Sequence, residues 1–283
     1  MKKLIVNADD FGADEGRNAG IREAVQAEAV KSVSLLVNGP ATGQALKEIR
    51  QGKYEGVSIG IHLNLSEGRP LCSDLPLLAG NGFFPGKTGA RRLLLQDNVP
   101  KLESEVRREV NAQVDFLLKE RIPLDHLDGH QHLHVFPAVR KAAIGAAVKY
   151  GIPWIRIPQE PLADGEIPED LRSEAELVSD QGGQAARLWA ETGIRAAGHF
   201  RGLYLKGRLG SRRLDSCLKR LPEGVTELMV HPGRVSEGCG GGPFGGFSTL
   251  DREEELEALL SPSFRGTLQR LDVRLISFGE ALS

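Results

Sequence analysis

Short apolar runs rich in β-branched residues alternate along the chain with longer amphipathic stretches. The run KLIVNA at 3–8 predicts a buried strand, and residues 15–29, whose apolar positions share one face, predict a helix. The same pattern predicts further strands at 32–38, 57–65, 124–130, 154–157, 203–206, 226–231 and 273–278. It predicts further helices at 40–51, 99–121 and 137–150. Two stretches interrupt the alternation and are expected to be functional loops, namely 68–97 and the glycine-rich 236–247.

Strand–helix alternation of this kind predicts an α/β fold in which a mainly parallel sheet carries its helices on the outside. Roughly seven or eight such units favour a closed or distorted (β/α) barrel. An open, doubly wound sheet is the alternative, and the pattern alone does not separate the two. The chain shows neither an internal repeat nor a linker, so residues 1–283 are expected to form a single domain.

The composition argues against several classes of function. A formal net charge of −2 provides no basic field to attract nucleic acid or acidic membranes. The N-terminal apolar run ends at Asp9 and Asp10, too early for a signal peptide, and no run reaches the ~18 apolar residues of a membrane span. The three cysteines are scattered and form no CxxC pair, so we expect a cytoplasmic protein without disulfides.

Two adjacent carboxylates, Asp9 and Asp10, end the first predicted strand. Buried carboxylates need partners, and a metal ion would satisfy one of them while the other acts as a base. The structural alternative is helix capping by Asp10 or Asp14. His62 stands inside another apolar strand, where it is either a metal ligand or a core residue. Asn64 follows on the same face of that strand and could orient a ligand or substrate.

Four of the seven histidines fall within nine residues. In extended geometry His126, His130, His132 and His134 would project to one side, which is hard to explain as core packing. Asp128, in the same segment, could orient a histidine as a carboxylate behind it. We therefore expect a metal or catalytic site here.

Two further histidines lie beside later apolar segments. His231 closes one such strand and precedes the glycine-rich loop, and His199 is a weaker version of the same arrangement. Either could be a general acid, a substrate contact or a structural residue, and the strand context favours His231. One carboxylate and two imidazoles at the carboxyl ends of parallel strands would share one face of a barrel and predict an open, three-ligand metal site.

These motifs resemble those of the YdjC/ChbG-type carbohydrate deacetylases. The resemblance is carried by VNADDFG at 6–12, VNG at 37–39, IGIHLNL at 59–65 with GRPL after it, and HLDGHQHLHVFP at 126–137. It spans most of the first half of the chain, and MVHPG is the only support in the second half. Gln131 follows His130 at a position where the family often has another histidine.

The resemblance implies a β/α barrel of the distorted deacetylase type with a divalent ion, magnesium in the first place and zinc as the alternative. It implies that Asp10, His62 and His130 are metal ligands. It further implies that Asp9 is the catalytic base and that His231 is the acid, with His199 as the alternative.

The family acts on N-acetylated sugars such as acetylated chitooligosaccharides, so a carbohydrate substrate is implied, and a homodimer is suggested. The expected substrate contacts are Asn64, His132, His134 and Phe244. The two loops would form the sugar cleft, in which Phe244 is one of several aromatic candidates for stacking, the others being Trp154, Phe83, Phe84 and Phe247.

Two other classes of function stay open on the sequence. One is a metal-dependent amidohydrolase or phosphoesterase on a similar barrel, although amidohydrolases usually carry His-x-His on the first strand, where this chain has Asp9 and Asp10. The other is a sugar- or metal-binding module without turnover. Binding alone would not need a second carboxylate beside the ion, which argues against that reading.

Overall fold

Strands and helices alternate along the computed structural model, which describes residues 1–161, 167–235, 243–245 and 249–282. The strands are β1 Lys2–Phe11, β2 Ser32–Leu35, β3 Ser58–Leu63, β4 His126–Gly129, β5 Trp154–Ile155, β6 His199–Arg201, β7 Gly224–Val230 and β8 Val273–Leu275. The helices are α1 Glu15–Gln26, α2 Thr42–Arg50, α3 Gly86–Leu94, α4 Pro100–Lys119, α5 Pro137–Tyr150, α6 Glu169–Trp189, α7 Ser211–Lys219, α8 Leu250–Leu260 and α9 Pro262–Arg270. A 3-10 segment, His130–Val135, joins β4 to α5.

The strands form one parallel sheet in the order β5-β4-β3-β2-β1-β7-β6, with β8 beside the start of β1. The ten residues of β1 lie at its centre, pairing with β7 along one edge and with β8 and then β2 along the other. No ladder joins β5 to β6 within the described ranges, so the sheet is a curled half-barrel. The predicted distorted (β/α) barrel is thereby confirmed.

Helix α4 shows how the sequence pattern produces the packing. Leu102, Val106, Val110 and Val114 recur every fourth residue and are 0% exposed, as expected for the inward face of a helix against the sheet. Pro100 begins this helix, at a position where its missing N–H leaves no hydrogen bond unmade.

Two buried carboxylates of α4 hold the long loop that follows β3. Glu109 accepts hydrogen bonds from the backbone N–H groups of residues 71–72 at 2.9 and 2.8 Å. Glu105 accepts from those of residues 77–78, both at 2.9 Å. Because buried carboxylates need hydrogen-bond donors, these contacts anchor the loop to the helix.

The cap of α1 decides between two interpretations of the first acidic motif. Asp14 is the N-cap, and its carboxylate accepts the backbone N–H of Arg17 at 2.8 Å. Since Asp14 satisfies the first turn, Asp10 is not needed as a cap and its side chain is available to the site.

Two sequence predictions differ from the structure, and a third lies largely outside the described residues. The strand expected at 203–206 is wrong, because β6 ends at Arg201 and Gly202 turns the chain with φ 135°, a value that favours glycine. The loop expected over 68–97 contains helix α3. The residues expected as one loop at 236–247 lie outside the described residues except for 243–245. Within the described part of the chain, no helix is both long and apolar enough to cross a membrane.

Candidate metal centre and active site

The carboxyl ends of four strands bring acidic and imidazole side chains to one small cavity. Asp9 and Asp10 come from β1, His62 from β3, His130 from the segment after β4, and His231 from the residue after β7. The cavity has a volume of about 30 Å³ and lies among buried residues. The expectation that strand ends would gather these side chains is therefore met by the fold.

Asp10, His62 and His130 form a compact group that could hold a metal ion. Asp10 Oδ1 lies 2.8 Å from His130 Nδ1 and 3.3 Å from His62 Nε2. The ligand atoms of the three side chains all lie within 4.8 Å of one another, and all three residues are buried. One carboxylate and two imidazoles suit a divalent ion with open coordination positions, so the residues present fit a divalent metal ion.

Each of these three side chains is oriented by a second polar group. Asp10 Oδ2 accepts a hydrogen bond from Arg17 Nη1 at 2.8 Å. His62 Nδ1 lies 2.6 Å from Asp128 Oδ1, which is the orienting role expected for that carboxylate. Outer partners of this kind hold metal ligands in position and are typical of metal sites in proteins.

The third ligand, His130, is oriented through the loop after β3. Its Nε2 lies 3.7 Å from Glu67 Oε1, and the same Glu67 oxygen accepts a hydrogen bond from Gln131 Nε2 at 2.9 Å. Glu67 thus lies beside His130 at ion-pair distance, whereas Asp128 contacts His62 at the hydrogen-bond distance of 2.6 Å.

The electrostatics of the group favour a bound cation. Burial alone would raise the pKa of Asp10, but His130 and Arg17 outweigh it and hold the pKa well below its ordinary value. Burial would lower the pKa of His62, but Asp128 and Asp9 raise it to about 10. The carboxylates around His62 thus favour a positive charge on its ring, and a metal ion at Nε2 would bind in competition with protonation of the ring.

Asp9 lies beside this group and is held by an arginine. Arg156 Nη1 and Nη2 donate to the two oxygens of Asp9, each at 2.7 Å, and Asn7 Nδ2 donates to Oδ1 at 2.8 Å. Burial raises the pKa of Asp9 above its ordinary value even though Arg156 opposes the shift. A buried carboxylate of raised pKa beside a metal site is placed to accept a proton.

His231 lines the cavity, and its backbone N–H donates to Glu255 Oε2 at 2.5 Å. Burial lowers the pKa of His231 well below its ordinary value, and Arg252 acts in the same direction, so the ring is neutral near pH 7. His199 is the first residue of β6, and it is not among the described residues that line the cavity. The geometry therefore favours His231 over His199 as the acid, which stays a prediction.

The histidine-rich segment is not extended. Gln131 and His132 have φ of 54° and 59°, in the left-handed region, and this bend separates the four histidines. His130 and His132 reach the cavity. His126 instead stacks on Phe278 with a ring separation of 4.2 Å. The expectation that all four project to one side is wrong.

Two of the expected substrate contacts, His134 and Asn64, are not among the described residues that line the cavity. His134 Nε2 lies 3.0 Å from the carbonyl oxygen of Arg156. The Asn64 side-chain oxygen accepts the backbone N–H groups of residues 66–67, while its Nδ2 donates to the Glu67 carbonyl at 2.7 Å. His134 therefore supports the backbone at Arg156, and Asn64 supports the turn that contains Glu67. Contact with a substrate stays a prediction for both residues.

Phe244 covers one edge of the metal group. Its ring packs against that of His130 at 5.5 Å, and its backbone N–H donates to Glu67 Oε2 at 2.7 Å. Its carbonyl accepts from Arg17 Nη2 at 3.4 Å. Phe244 is thereby held by the outer partners of two metal ligands, with φ 69° in the left-handed region. Phe247 lies outside the described residues.

A second cavity of about 380 Å³ adjoins the first and shares Glu174 and Lys206 with it. Glu174 pairs with Lys87 at 2.6 Å, with Arg91 at 2.7 Å and with Lys206 at 3.2 Å. The larger cavity is lined by mainly charged side chains among the described residues, which offer hydrogen bonds to a ligand.

Comparison with known proteins identifies the family of this chain. The model of the family described as YdjC-like protein matches residues 3–270. This chain belongs to the YdjC-like family. It is 37% identical to a carbohydrate deacetylase of Homo sapiens over 300 residues, which cover 98% of this chain and 90% of that protein.

Two more relatives extend the likeness. A carbohydrate deacetylase of Vibrio cholerae is 30% identical to this YdjC-like chain over 286 residues, covering 99% of this chain and 97% of the relative. A crystal structure from Enterococcus faecalis, provisionally named a cellobiose-phosphate cleavage protein, superimposes with a TM-score of 0.76 at 23% identity. It covers 100% of this chain and 99% of that one. At that identity the likeness concerns the fold alone.

Sequence reasoning missed three charged residues of this YdjC-like site, namely Arg17, Glu67 and Arg156. Arg156 follows β5 directly, so the rule that found Asp10 and His231 at strand ends would have found it too. Arg17 lies one turn into α1 and Glu67 lies in an irregular loop, and no local pattern marks either of them.

Proposed function

We propose that this protein is a metal-dependent deacetylase that removes the acetyl group from an N-acetylated oligosaccharide of the chitooligosaccharide type, giving acetate and a free amino sugar. The observation that carries the proposal is the Asp10–His62–His130 group with Asp9 beside it in one cavity. The names of the human and Vibrio cholerae relatives supply the carbohydrate class of the substrate.

Asp10, His62 and His130 would hold the ion. A divalent ion at this position supplies Lewis-acid polarisation of an amide carbonyl. The family resemblance favours magnesium, whereas two imidazole ligands favour zinc or another transition metal over magnesium. Metal analysis of the purified protein decides between them.

The chain's own residues supply the proton transfers. Asp9 accepts a proton from a water molecule as the water oxygen bonds to the acetyl carbon. The bond between that carbon and the sugar nitrogen then breaks while the nitrogen receives a proton. Because His231 is neutral at rest, we propose that it relays to the nitrogen the proton that Asp9 has taken up.

The sizes of the two cavities support an oligosaccharide substrate. The inner cavity of about 30 Å³ has room for roughly two water molecules, so a sugar ring does not fit in it. The adjoining cavity of about 380 Å³ falls within the usual range for ligand pockets. We propose that the acetyl group enters the inner cavity while the sugar rings lie in the outer one. We propose further that His132, which lines the inner cavity, and Phe244, which packs on His130, contact the substrate.

The deciding experiment measures acetate and free amine released from N-acetylglucosamine and from its di-, tri- and tetrasaccharides. Each assay is run on the protein as purified, after chelation, and after addition of Mg²⁺, Mn²⁺ or Zn²⁺. Release that is lost on chelation and restored by metal is expected, with Asp10→Asn as the inactive control. Full activity after rigorous metal removal would contradict the proposal.

Two other results would identify the alternative functions. Phosphate release from sugar phosphates without acetate release would indicate a phosphoesterase. Saturable sugar binding with no product would indicate a binding module. We also propose a cytoplasmic location and a homodimer, which cell fractionation and light scattering test.

A further inference from the structure

Four apolar side chains complete the lining of the inner cavity, whose other lining residues among those described are polar. The four are Ala175, Val178, Leu203 and Met229. They belong to one cluster of packed, buried apolar residues, so they form a contiguous surface, which we call the apolar wall. The inner cavity therefore combines the polar side chains of the metal group with an apolar surface that takes no part in metal binding or proton transfer.

The apolar wall is held in place by the elements that carry it. Ala175 and Val178 lie three residues apart on α6, on one face of the helix, and are 1% and 0% exposed. Glu160 accepts the backbone N–H groups of Gly202 and Leu203 at 3.0 and 2.7 Å, which fixes the turn that carries Leu203. Because closely packed side chains do not move aside without cost, the wall keeps its position when a ligand enters.

Met229 of β7 is held by a close approach of the backbone. Gly202 has φ 135°, and a Cβ at this residue would lie 3.0 Å from Met229 Cβ and 3.2 Å from Met229 Cε. A side chain at residue 202 would therefore crowd Met229. Because glycine leaves this space free, the usually adaptable methionine side chain packs against the turn and has a defined place in the wall.

A cavity with polar and apolar surfaces suits an acetyl group. The carbonyl oxygen of that group needs a hydrogen bond or a cation, whereas its methyl group gains free energy when apolar side chains cover it. A phosphoryl group carries oxygen atoms at all its free positions, and the apolar wall would leave at least one of them without a partner. The wall thus favours an acyl group over a phosphoryl group.

We propose that the apolar wall recognises the methyl group of the substrate and selects acetyl over longer, shorter and hydroxylated acyl groups. This inference rests on the proposed function, since it concerns the acyl group of the same substrate. The inner cavity has room for roughly two water molecules, so added methylene groups would press against the wall. An N-formyl group lacks the methyl carbon that the wall covers, and an N-glycolyl group would leave its hydroxyl without a partner there.

The first test compares acyl groups on one chitooligosaccharide with the native protein. Amine release is measured from the N-formyl, N-acetyl, N-glycolyl, N-propionyl and N-butyryl derivatives, and each kcat/KM is divided by the rate of alkaline hydrolysis of the same amide. One methylene or hydroxyl group in an apolar pocket changes kcat/KM by about 10- to 200-fold, so every other derivative should be at least tenfold poorer than N-acetyl.

Two results of this comparison have different meanings. Similar values for the N-acetyl, N-propionyl and N-glycolyl derivatives would overturn the inference and leave the proposed function intact. Amine release from none of the derivatives would contradict the proposed function itself.

Substitutions in the wall should move the selectivity in opposite directions. Val178→Ala enlarges the cavity, so the ratio of kcat/KM for N-propionyl to N-acetyl substrate should rise at least tenfold. Ala175→Val narrows the cavity, so N-acetyl turnover should fall more than N-formyl turnover. A ratio measured within one variant does not depend on how much of that variant is folded. An unchanged ratio in Val178→Ala would overturn the inference.

Val110→Ala is the matched control for Val178→Ala. Val110 is also 0% exposed, but it lies on α4 and is not among the described residues that line the cavity. The same atoms are removed from the core, so the variant should keep the native ratio of N-propionyl to N-acetyl turnover. A rise in this ratio equal to that of Val178→Ala would show that loosened packing, and not the wall, determines the selectivity.

Methionine provides a readout that does not depend on turnover. The chain has two methionines, Met1 and Met229, so protein labelled with ¹³C at the methionine methyl group gives at most two signals. Acetate added to the native protein should shift the Met229 signal, with Met1, which is 73% exposed, as the internal reference. Butyrate at the same concentration should have a much smaller effect. A Met229 signal that ignores saturating acetate, or responds equally to butyrate, would overturn the inference.

Discussion

Arg17 Nη1 donates a hydrogen bond to Asp10 Oδ2 at 2.8 Å, which leaves Oδ1 as the oxygen that faces both His62 and His130. The two oxygens of Asp10 therefore have different tasks. Oδ2 is held by the first turns of α1, and Oδ1 is directed at the place of the ion. The oxygen available to a metal ion is therefore Oδ1. The hydrogen bond from Arg17 determines the orientation of the Asp10 carboxylate.

We predict that Arg17→Gln lowers metal affinity without abolishing it. Loss of an outer partner typically weakens metal binding by about 10- to 100-fold. Isothermal titration of metal-free protein with Zn²⁺ or Mn²⁺ measures the change. Arg22→Gln is the matched control, since Arg22 lies on the same helix but pairs with Glu48 at 2.6 Å. Equal affinities in both variants would show that Arg17 does not orient the ligand.

Measuring bound metal and turnover on the same variants should distinguish the metal ligands from the base. Asp10→Ala, His62→Ala and His130→Ala remove groups that would bind the ion, so each should lose both bound metal and turnover. Asp9→Asn should keep bound metal and lower kcat by about 10²- to 10⁴-fold, the usual range for a general base. Elemental analysis and acetate release measure the two properties on the same samples.

The contradicting outcomes differ for the two classes of residue. Normal acetate release by Asp9→Asn would remove Asp9 from the role of base. Loss of metal from Asp9→Asn would instead make Asp9 a metal ligand.

The sequence predicts the parallel sheet and the residues of the centre because both depend on local patterns. Apolar runs mark strands such as β1, and the polar residues Asp10, His62 and His231 stand where those runs end. Arg17 and Glu67 could not be identified in this way. Arg17 acts through its contact with Asp10, which lies 7 residues away in the sequence. Glu67 acts through its contact with His130, which lies 63 residues away.

The histidine segment shows a different reason for error. Alternating histidines predict an extended chain, and an extended chain would place His126 and His134 in the site. The left-handed residues Gln131 and His132 depend on tertiary packing. Neither glutamine nor histidine marks a left-handed turn as strongly as glycine does, so periodicity alone misassigns the segment.

His231 and His199 can be distinguished as acids by changing the leaving group. His231→Asn should lower the rate with an N-acetyl sugar by about 10²-fold or more, because an amine leaves only when it is protonated. With p-nitrophenyl acetate, whose leaving group needs no proton, the loss should be much smaller. His199→Asn should retain the native rate on both substrates. The assignment is reversed if His199→Asn shows the selective loss instead.

Glu160 predicts a pH dependence of stability that is independent of the metal centre. It accepts the backbone N–H groups of Gly202 and Leu203 at 3.0 and 2.7 Å. Burial raises its pKa from 4.5 to about 7, although these hydrogen bonds oppose the shift. A carboxyl whose pKa is raised in the folded state stabilises the fold fully below its unfolded pKa, and this contribution disappears as the pH rises through the folded pKa.

Glu160→Gln should therefore change the pH profile of the free energy of unfolding. The variant keeps an acceptor for the two N–H groups but does not titrate, so its stability relative to the native protein should rise between pH 4.5 and pH 7, the range spanned by the two pKa values. The rise is on the order of 3 kcal/mol at most, since one pKa unit corresponds to about 1.4 kcal/mol. Urea unfolding at intervals across this range measures it. Parallel curves for the two proteins would mean that Glu160 has the same pKa in the folded and unfolded chains.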